Sequence, residues 1–239
     1  TTINKCRFKF DIAAKFKKLK NGFELVLMGG EKVQAKTVII ATGASARWLG
    51  IPSEERYKGR GVTTCAVCDG AFFKDKEVVV IGGGDSAMEE SNFLTKFATK
   101  VTFIHRKDSF RASKIMQDRF LKNQKCNVIW DNEVQEILGD GKKVTGMKLK
   151  NTKTGKVTEF KTDGVFLAIG HVPNTSIFKR ILDLDERGYI KADRFMKTNI
   201  SGVFAAGDVQ DTRYRQAITA AGTGCQAAME AEKYLAEHE

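Results

Sequence analysis

Two cysteines separated by two residues, in Thr63-Thr64-Cys65-Ala66-Val67-Cys68-Asp69-Gly70, have types and spacing that can do chemistry. Thiols so placed close a small disulfide ring and reopen it, because the second sulfur is poised to attack a mixed disulfide formed at the first. Asp69, directly after them, carries a carboxyl that can supply or accept the proton that thiol exchange moves. Half a zinc site is the competing chemistry, and it needs a second Cys or His pair at matching spacing. Cys6, Cys126, Cys225, His105, His171 and His238 stand singly and far apart. Redox exchange is therefore the better reading, and no metal is expected.

A second stretch is built to hold phosphate. Glu77-Val78-Val79-Val80-Ile81 reads as a buried strand and runs straight into Gly82-Gly83-Gly84-Asp85-Ser86-Ala87, a G-x-G-x-x-A pattern. Glycines there permit a tight turn and let a pyrophosphate lie against backbone N–H groups at a helix N-terminus. Ala87, Ser91, Leu94 and Ala98 recur at helical spacing, and residues 100–104 supply the next parallel strand. Strand, turn, helix and strand fall in register within about 30 residues, as the motif requires. An NAD-binding fold then places an acid about twenty residues after the glycines, for the ribose 2′-hydroxyl. Here the sequence is His105-Arg106-Lys107-Asp108-Ser109-Phe110-Arg111. Arg106, Lys107 and Arg111 suit a 2′-phosphate. Asp108 lies beyond the strand end and beside Lys107, so the expected dinucleotide is NADPH.

A third set lies at the two ends of the chain. The apolar run 38–41 reads as a doubly buried strand that ends in Thr42-Gly43-Ala44, where glycine lets backbone approach a ligand closely. A short buried strand ending at Gly207-Asp208 can set a carboxylate at a ribityl or ribose hydroxyl. Arg215-Gln216-Ala217 opens a helix over 217–235 rich in small residues, whose N-terminus can stabilise negative charge on a reduced ring.

The elements that must position these groups are legible from periodicity. Residues 3–27 alternate apolar and polar side chains around Asn21-Gly22 and predict antiparallel strands, with a further strand from Lys32. Residues 48–61 read as a connector between domains. A helix is expected over 114–121, a strand over 128–130, a glycine-punctuated meander over 133–161 and a buried strand over 165–170. Val172-Pro173-Asn174-Thr175 starts the return crossing. The 239 residues are 42% hydrophobic, with no apolar run approaching the ~20 residues of a membrane span. The net charge of +11 raises nucleic acid as a partner. The cations are spread along the chain, however, so a solvated basic face or steering of an acidic protein fits better. No signal peptide is visible. One redox pair among otherwise single thiols points to a cytoplasmic protein.

Taken together, these residues resemble the low-molecular-weight, flavin-dependent thioredoxin reductases over essentially the whole chain. The likeness rests on Ala41-Thr42-Gly43-Ala44, the 65–70 and 82–87 motifs, His105-Arg106-Lys107 with Arg111, Gly170-His171-Val172-Pro173-Asn174, residues 202–208 and Arg215-Gln216-Ala217. It implies an α/β fold in which an NADPH-binding Rossmann-like domain (51–174) is inserted into a partial FAD-binding Rossmann-like domain (1–50 and 175–239). In such enzymes hydride passes from NADPH to FAD, the flavin reduces the disulfide, and the dithiol reduces thioredoxin. The match gives Cys68 the place nearer the flavin, Cys65 the attack on the partner, and Asp69 the acid. Thr42, Gly43, Gly207, Asp208, Arg215, Gln216 and Ala217 match the FAD side. Gly82, Gly83, Gly84, Asp85, Ser86, Ala87, His105, Arg106, Lys107 and Arg111 match the NADPH side. The resemblance further implies a homodimer and an inserted domain that rotates between flavin-facing and partner-facing states, with no nucleic-acid or membrane partner.

Two departures stand out. The family's His-Arg-Arg triplet has Lys107 for an arginine, which keeps charge and loses bidentate geometry. The family's first glycine fingerprint, which cradles the FAD pyrophosphate, is missing, so the sequence reads as a fragment expected to hold FAD weakly or not at all. The alternatives are a related flavin enzyme acting on another disulfide, or a flavin-free NADPH-binding module.

Overall fold

A computed structural model of the chain describes residues 7–238. Cys6 and the start of the first alternating run lie outside the described residues. The chain divides into two compact units, one of residues 1–45 and 172–239, the other of residues 46–171. The sequence expectation placed these divisions at 50/51 and 174/175.

The second unit is built on a five-stranded sheet in the order Val62–Thr63, Gly164–Ala168, Glu77–Gly82, Lys100–Ile104, Cys126–Ile129, with every pairing parallel. Parallel strands are covered on both faces, which is why the apolar runs are continuous and not alternating. Val78 and Val80 point into one core with Met88, Leu94, Phe103 and Phe120. Val79 and Ile81 point into the other with Ile137, Met147 and Leu149. The helices Asp85–Leu94 and Lys114–Leu121 supply the first cover. An antiparallel sheet of Asn132–Gly139, Val144–Asn151 and Val157–Lys161 supplies the second, so the glycine-rich meander is a packing layer.

The stretch read as a connector is mostly structured. Pro52–Tyr57 is a helix with proline in its first turn, where a missing N–H costs nothing. The backbone N–H of Ile137 donates to Ser53 Oγ at 2.9 Å, and the N–H of Leu49 donates to the buried Glu54 carboxylate at 2.6 Å. Tyr57 closes against Gly139, where any Cβ would meet its ring at 2.5 Å. These ties place 52–57 within the second unit.

In the first unit, Ala13–Leu19, Gly22–Leu27 and Lys32–Ala35 form an antiparallel sheet around the Asn21-Gly22 turn. The alternation continues back through Phe8, Phe10 and Ile12, but residues 7–12 carry no regular structure and these three side chains are exposed. An alternating pattern becomes a strand only where a neighbour accepts its backbone, and this ladder begins with Ala13 opposite Leu27. Val38–Ile40 pairs in parallel with Val203–Ala205. Phe16, Phe23, Ile40, Phe178 and Val203 fill one core, while Phe204, Ala227 and Ala231 seat the long helix Ala217–Glu237.

Candidate active site: a disulfide, a glycine turn and a basic loop

Cys65 and Cys68 are joined as a disulfide with their Cα atoms 5.3 Å apart. The chain leaves the strand Val62–Thr63 and winds at once into the helical turn Ala66–Asp69, which brings residues three apart onto one face. Ala66 is buried and anchors the turn, while Cys65 is half-buried and Cys68 exposed. The Cys68 backbone N–H points at Cys65 Sγ, 3.2 Å away. Thr63 sets the acid: its hydroxyl donates to Asp69 Oδ2, and its oxygen accepts the Cys65 N–H at 3.2 Å. Sulfurs and carboxylate therefore share one short, cross-tied segment. Among the described residues no three His, Cys, Asp or Glu side chains converge as a metal site would need. Cys126 differs in kind: burial pushes its thiol up to about 11, which keeps it protonated and inert at neutral pH.

The glycine turn 82–84 lies in the same unit, and its three glycines serve different ends. None has the left-handed φ that demands glycine. Gly82 is required by packing, since a Cβ would sit 2.4 Å from Ala87 Cβ. At Gly83 a Cβ would sit 2.3 Å from His105 Cε1, so strand end and turn are pressed together. Around Gly84, the N-cap of Asp85–Leu94, nothing lies within 4 Å of a Cβ. A cradle so open at a helix start fits a pyrophosphate. His105 adds a second mark, because its Nε2 is buried without a hydrogen-bond partner. Desolvation, with repulsion from Arg111 and Arg106, lowers its pKa against the backbone groups of Gly82 and Ser109, so the ring is neutral at neutral pH.

The basic loop folds back over this turn. The Arg111 N–H donates to the Gly83 carbonyl at 2.8 Å, and Arg106, Lys107 and Arg111 are exposed. Asp108, the acid that rivals a 2′-phosphate reading, is held 3.0 Å from Lys153 Nζ, and that hydrogen-bonded ammonium lowers its pKa. Asp85 is engaged within the protein: its Oδ1 accepts the Ser113 N–H at 2.7 Å and hydroxyl at 2.9 Å. Ser86 is exposed at the helix start and Ala87 fully buried beneath Gly82. The donor set around Gly84 and the loop fits a phosphorylated dinucleotide; Asp85 and Ala87 shape the site through packing and hydrogen bonds.

The residues matched to the flavin side lie in the first unit. Thr42 and Asn174 clasp each other's backbone, Thr42 Oγ1 donating to Asn174 O at 2.8 Å and Asn174 Nδ2 to Thr42 O at 2.9 Å. Gly43 has φ +70° and open space about its Cα, which fits close approach of a ligand. Gly207 has φ +72° and its N–H donates to Thr223 Oγ1 at 2.9 Å, tying it to the long helix beside Asp208. Gln216 and Thr219 form a reciprocal capping box at the start of that helix, which fixes Gln216 at its mouth, with Ala217 following as its first residue. Sequence reasoning missed Asp211. Its carboxylate accepts the N–H groups of Arg213, Tyr214 and Arg215 at 2.8–2.9 Å, and it holds Arg215 at φ +49°. Burial works against the Asp211 charge, yet the N–H groups of Tyr214, Arg213 and Arg215 outweigh it and hold the carboxyl below its ordinary range. An Asp five residues ahead of a helix N-cap, with its carboxyl free to bond the N–H groups between, is the signal that could have found it.

The sequence profile described as pyridine nucleotide-disulphide oxidoreductase matches residues 2–224. A thioredoxin reductase of Rickettsia conorii is 53% identical over 219 residues, covering 90% of this chain and 71% of that protein. A thioredoxin reductase of Streptomyces coelicolor is 55% identical over 204 residues, covering 85% of this chain and 63% of the relative. The crystal structure of thioredoxin reductase from Streptococcus pyogenes MGAS5005 superposes with a TM-score of 0.90 at 46% identity, over 95% of this chain and 74% of that one.

Proposed function

Because the chain belongs to the pyridine nucleotide-disulphide oxidoreductases, and within them to the thioredoxin reductases, which use FAD and NADPH, we propose that Cys65 and Cys68 are its redox couple and residues 82–111 its NADPH site. The observation that carries this reading is a disulfide in the same folded unit as an open glycine turn overhung by three cations. When bound, NADPH supplies a hydride and FAD relays its electron pair to the disulfide. Gly84 and the N-terminus of Asp85–Leu94 receive the pyrophosphate, and Arg106, Lys107 and Arg111 the 2′-phosphate. On the flavin side the reading assigns Thr42, Gly43, Gly207, Asp208, Arg215, Gln216 and Ala217.

Two electrons and two protons convert the disulfide to a dithiol, and Asp69, held by Thr63, is the group that moves a proton at the sulfurs. The Cys68 N–H aimed at Cys65 Sγ favours a thiolate there, which suits Cys65 as the thiol that attacks the thioredoxin disulfide. Cys68 then resolves the mixed disulfide and releases reduced thioredoxin. We further assign the flavin-binding domain to 1–50 and 175–239 and the NADPH-binding domain to 51–174, near the divisions at 45/46 and 171/172. A homodimer in the cytoplasm completes the reading, and no helix of the described residues is long and apolar enough to cross a membrane.

In the flavin-loaded protein, replacing Cys65 or Cys68 with Ser should lower NADPH-dependent reduction of thioredoxin about a thousandfold or more, while NADPH still reduces the flavin. Thioredoxin turnover retained in either variant would overturn the assignment.

A further inference from the structure

A charge balance beside the basic loop has no part in the reactions above. Residues 105–111 contain one carboxylate, Asp108, among three cations. A free carboxylate there would repel a 2′-phosphate and offer an acceptor to a 2′-hydroxyl, which is how an acid at this strand end selects the unphosphorylated dinucleotide. Asp108 is not free. Lys153, on the turn between Val144–Asn151 and Val157–Lys161, places its Nζ 3.0 Å from Asp108 Oδ2 and 3.0 Å from Asp131 Oδ2. Asn151 fixes that turn, its Oδ1 accepting the Lys153 N–H at 3.0 Å and the Thr154 N–H at 2.9 Å.

The turn is also fastened to the loop through backbone. Thr152 N–H donates to Asp131 O at 2.7 Å, Thr152 Oγ1 lies 3.2 Å from Arg106 O, and Asp131 N–H donates to Lys107 O at 3.3 Å. These contacts do not involve the Lys153 ammonium. Removing the ammonium therefore leaves the loop tied and changes its charge. The Lys153–Asp108 pair is exposed on both sides and contributes little to stability, so its consequence belongs to binding.

We propose that Lys153 is a specificity-determining positioning residue: it clamps and neutralises Asp108, and thereby lets the loop prefer a 2′-phosphorylated dinucleotide. The proposal rests on the reading that Arg106, Lys107 and Arg111 receive the 2′-phosphate. Lys153 then acts through Asp108, without touching the cofactor.

Binding of 2′,5′-ADP and of 5′-AMP to the purified chain, followed by titration calorimetry, tests this without turnover. Lys153→Met should weaken 2′,5′-ADP about three- to tenfold and leave 5′-AMP within about twofold. Asp108→Asn added to it should restore 2′,5′-ADP to within about twofold of the parent protein, and Lys153→Arg should resemble the parent. Equal weakening of both ligands by Lys153→Met would make the residue merely structural and overturn the proposal. So would an undiminished effect in the Asp108→Asn background, which would mean that the ammonium meets the phosphate itself. Arg111→Ala separates the premise from the proposal. If it leaves the preference for 2′,5′-ADP intact, the loop is not the phosphate site and both fall; if it abolishes the preference while Lys153→Met does not alter it, the clamp alone falls.

Discussion

Arg106 and Arg111 carry the choice of dinucleotide at the level of single side chains. Guanidinium forks match phosphate oxygens bidentately, and a 2′-hydroxyl gives them nothing comparable to bind. Arg106→Ala and Arg111→Ala should each raise the KM for NADPH about tenfold or more and move that for NADH by less than about threefold, in steady-state assays with both donors. Equal losses would remove the 2′-phosphate argument. The thiols separate by the same kind of reasoning. Cys225 is exposed, whereas Cys126 is half-buried with its thiol pushed up to about 11. Iodoacetamide at neutral pH should label Cys225 before Cys126 and leave Cys126 largely unmodified in the folded protein, read by peptide mass spectrometry.

At the scale of elements, the strand–turn–helix over 77–94 separates Gly84, which the motif requires, from Gly83, which occupies its unspecified position. Gly83→Ala drives a Cβ into the His105 ring, so it should lower stability by about 1–3 kcal/mol and weaken NADPH as the turn distorts. Gly84→Ala meets no protein atom and has ordinary extended backbone, so the melting temperature should hardly move while NADPH binding falls. Thermal melts paired with NADPH titrations of the two variants check both halves. The entry to Ala217–Glu237 depends on Asp211 in the same local way. Its carboxyl titrates lower in the folded chain than in the unfolded one, where about 3.9 is usual. Its contribution is therefore complete above that value and lost as pH falls through the lowered one. Asp211→Asn should lower the melting temperature at pH 7, and the gap between the two proteins should shrink steadily as acid carries the pH below the ordinary carboxyl range, by calorimetry across a pH series.

For the molecule as a whole, the two units differ in how the chain makes them. Residues 46–171 are continuous and hold two cores on either face of one parallel sheet, whereas the other unit is assembled from both ends of the chain. A polypeptide of residues 46–171 alone should unfold cooperatively and bind 2′,5′-ADP with the affinity of the full chain, measurable by circular dichroism and calorimetry. Loss of binding in a folded polypeptide would mean that the other unit completes the nucleotide site. Much of this was legible from sequence, because the signals are local. Continuous apolar runs mark strands buried on both faces, a glycine pattern marks a turn pressed against a helix, and two thiols three apart can close on each other. The structure decided what depends on distant neighbours. Phe8, Phe10 and Ile12 alternate but stay exposed outside the strand, the meander over 133–161 became the cover of the parallel sheet, and 52–57 folded into the unit it was expected to link. Asp85 and Gln216, matched to the two cofactor sides, also have structural partners in Ser113 and Thr219. Asp108, legible only as a rival acid, meets its counter-ion across 45 residues of chain. Periodicity and spacing fix which groups a segment can offer; which of them stay free for a ligand depends on partners that only the folded chain brings near.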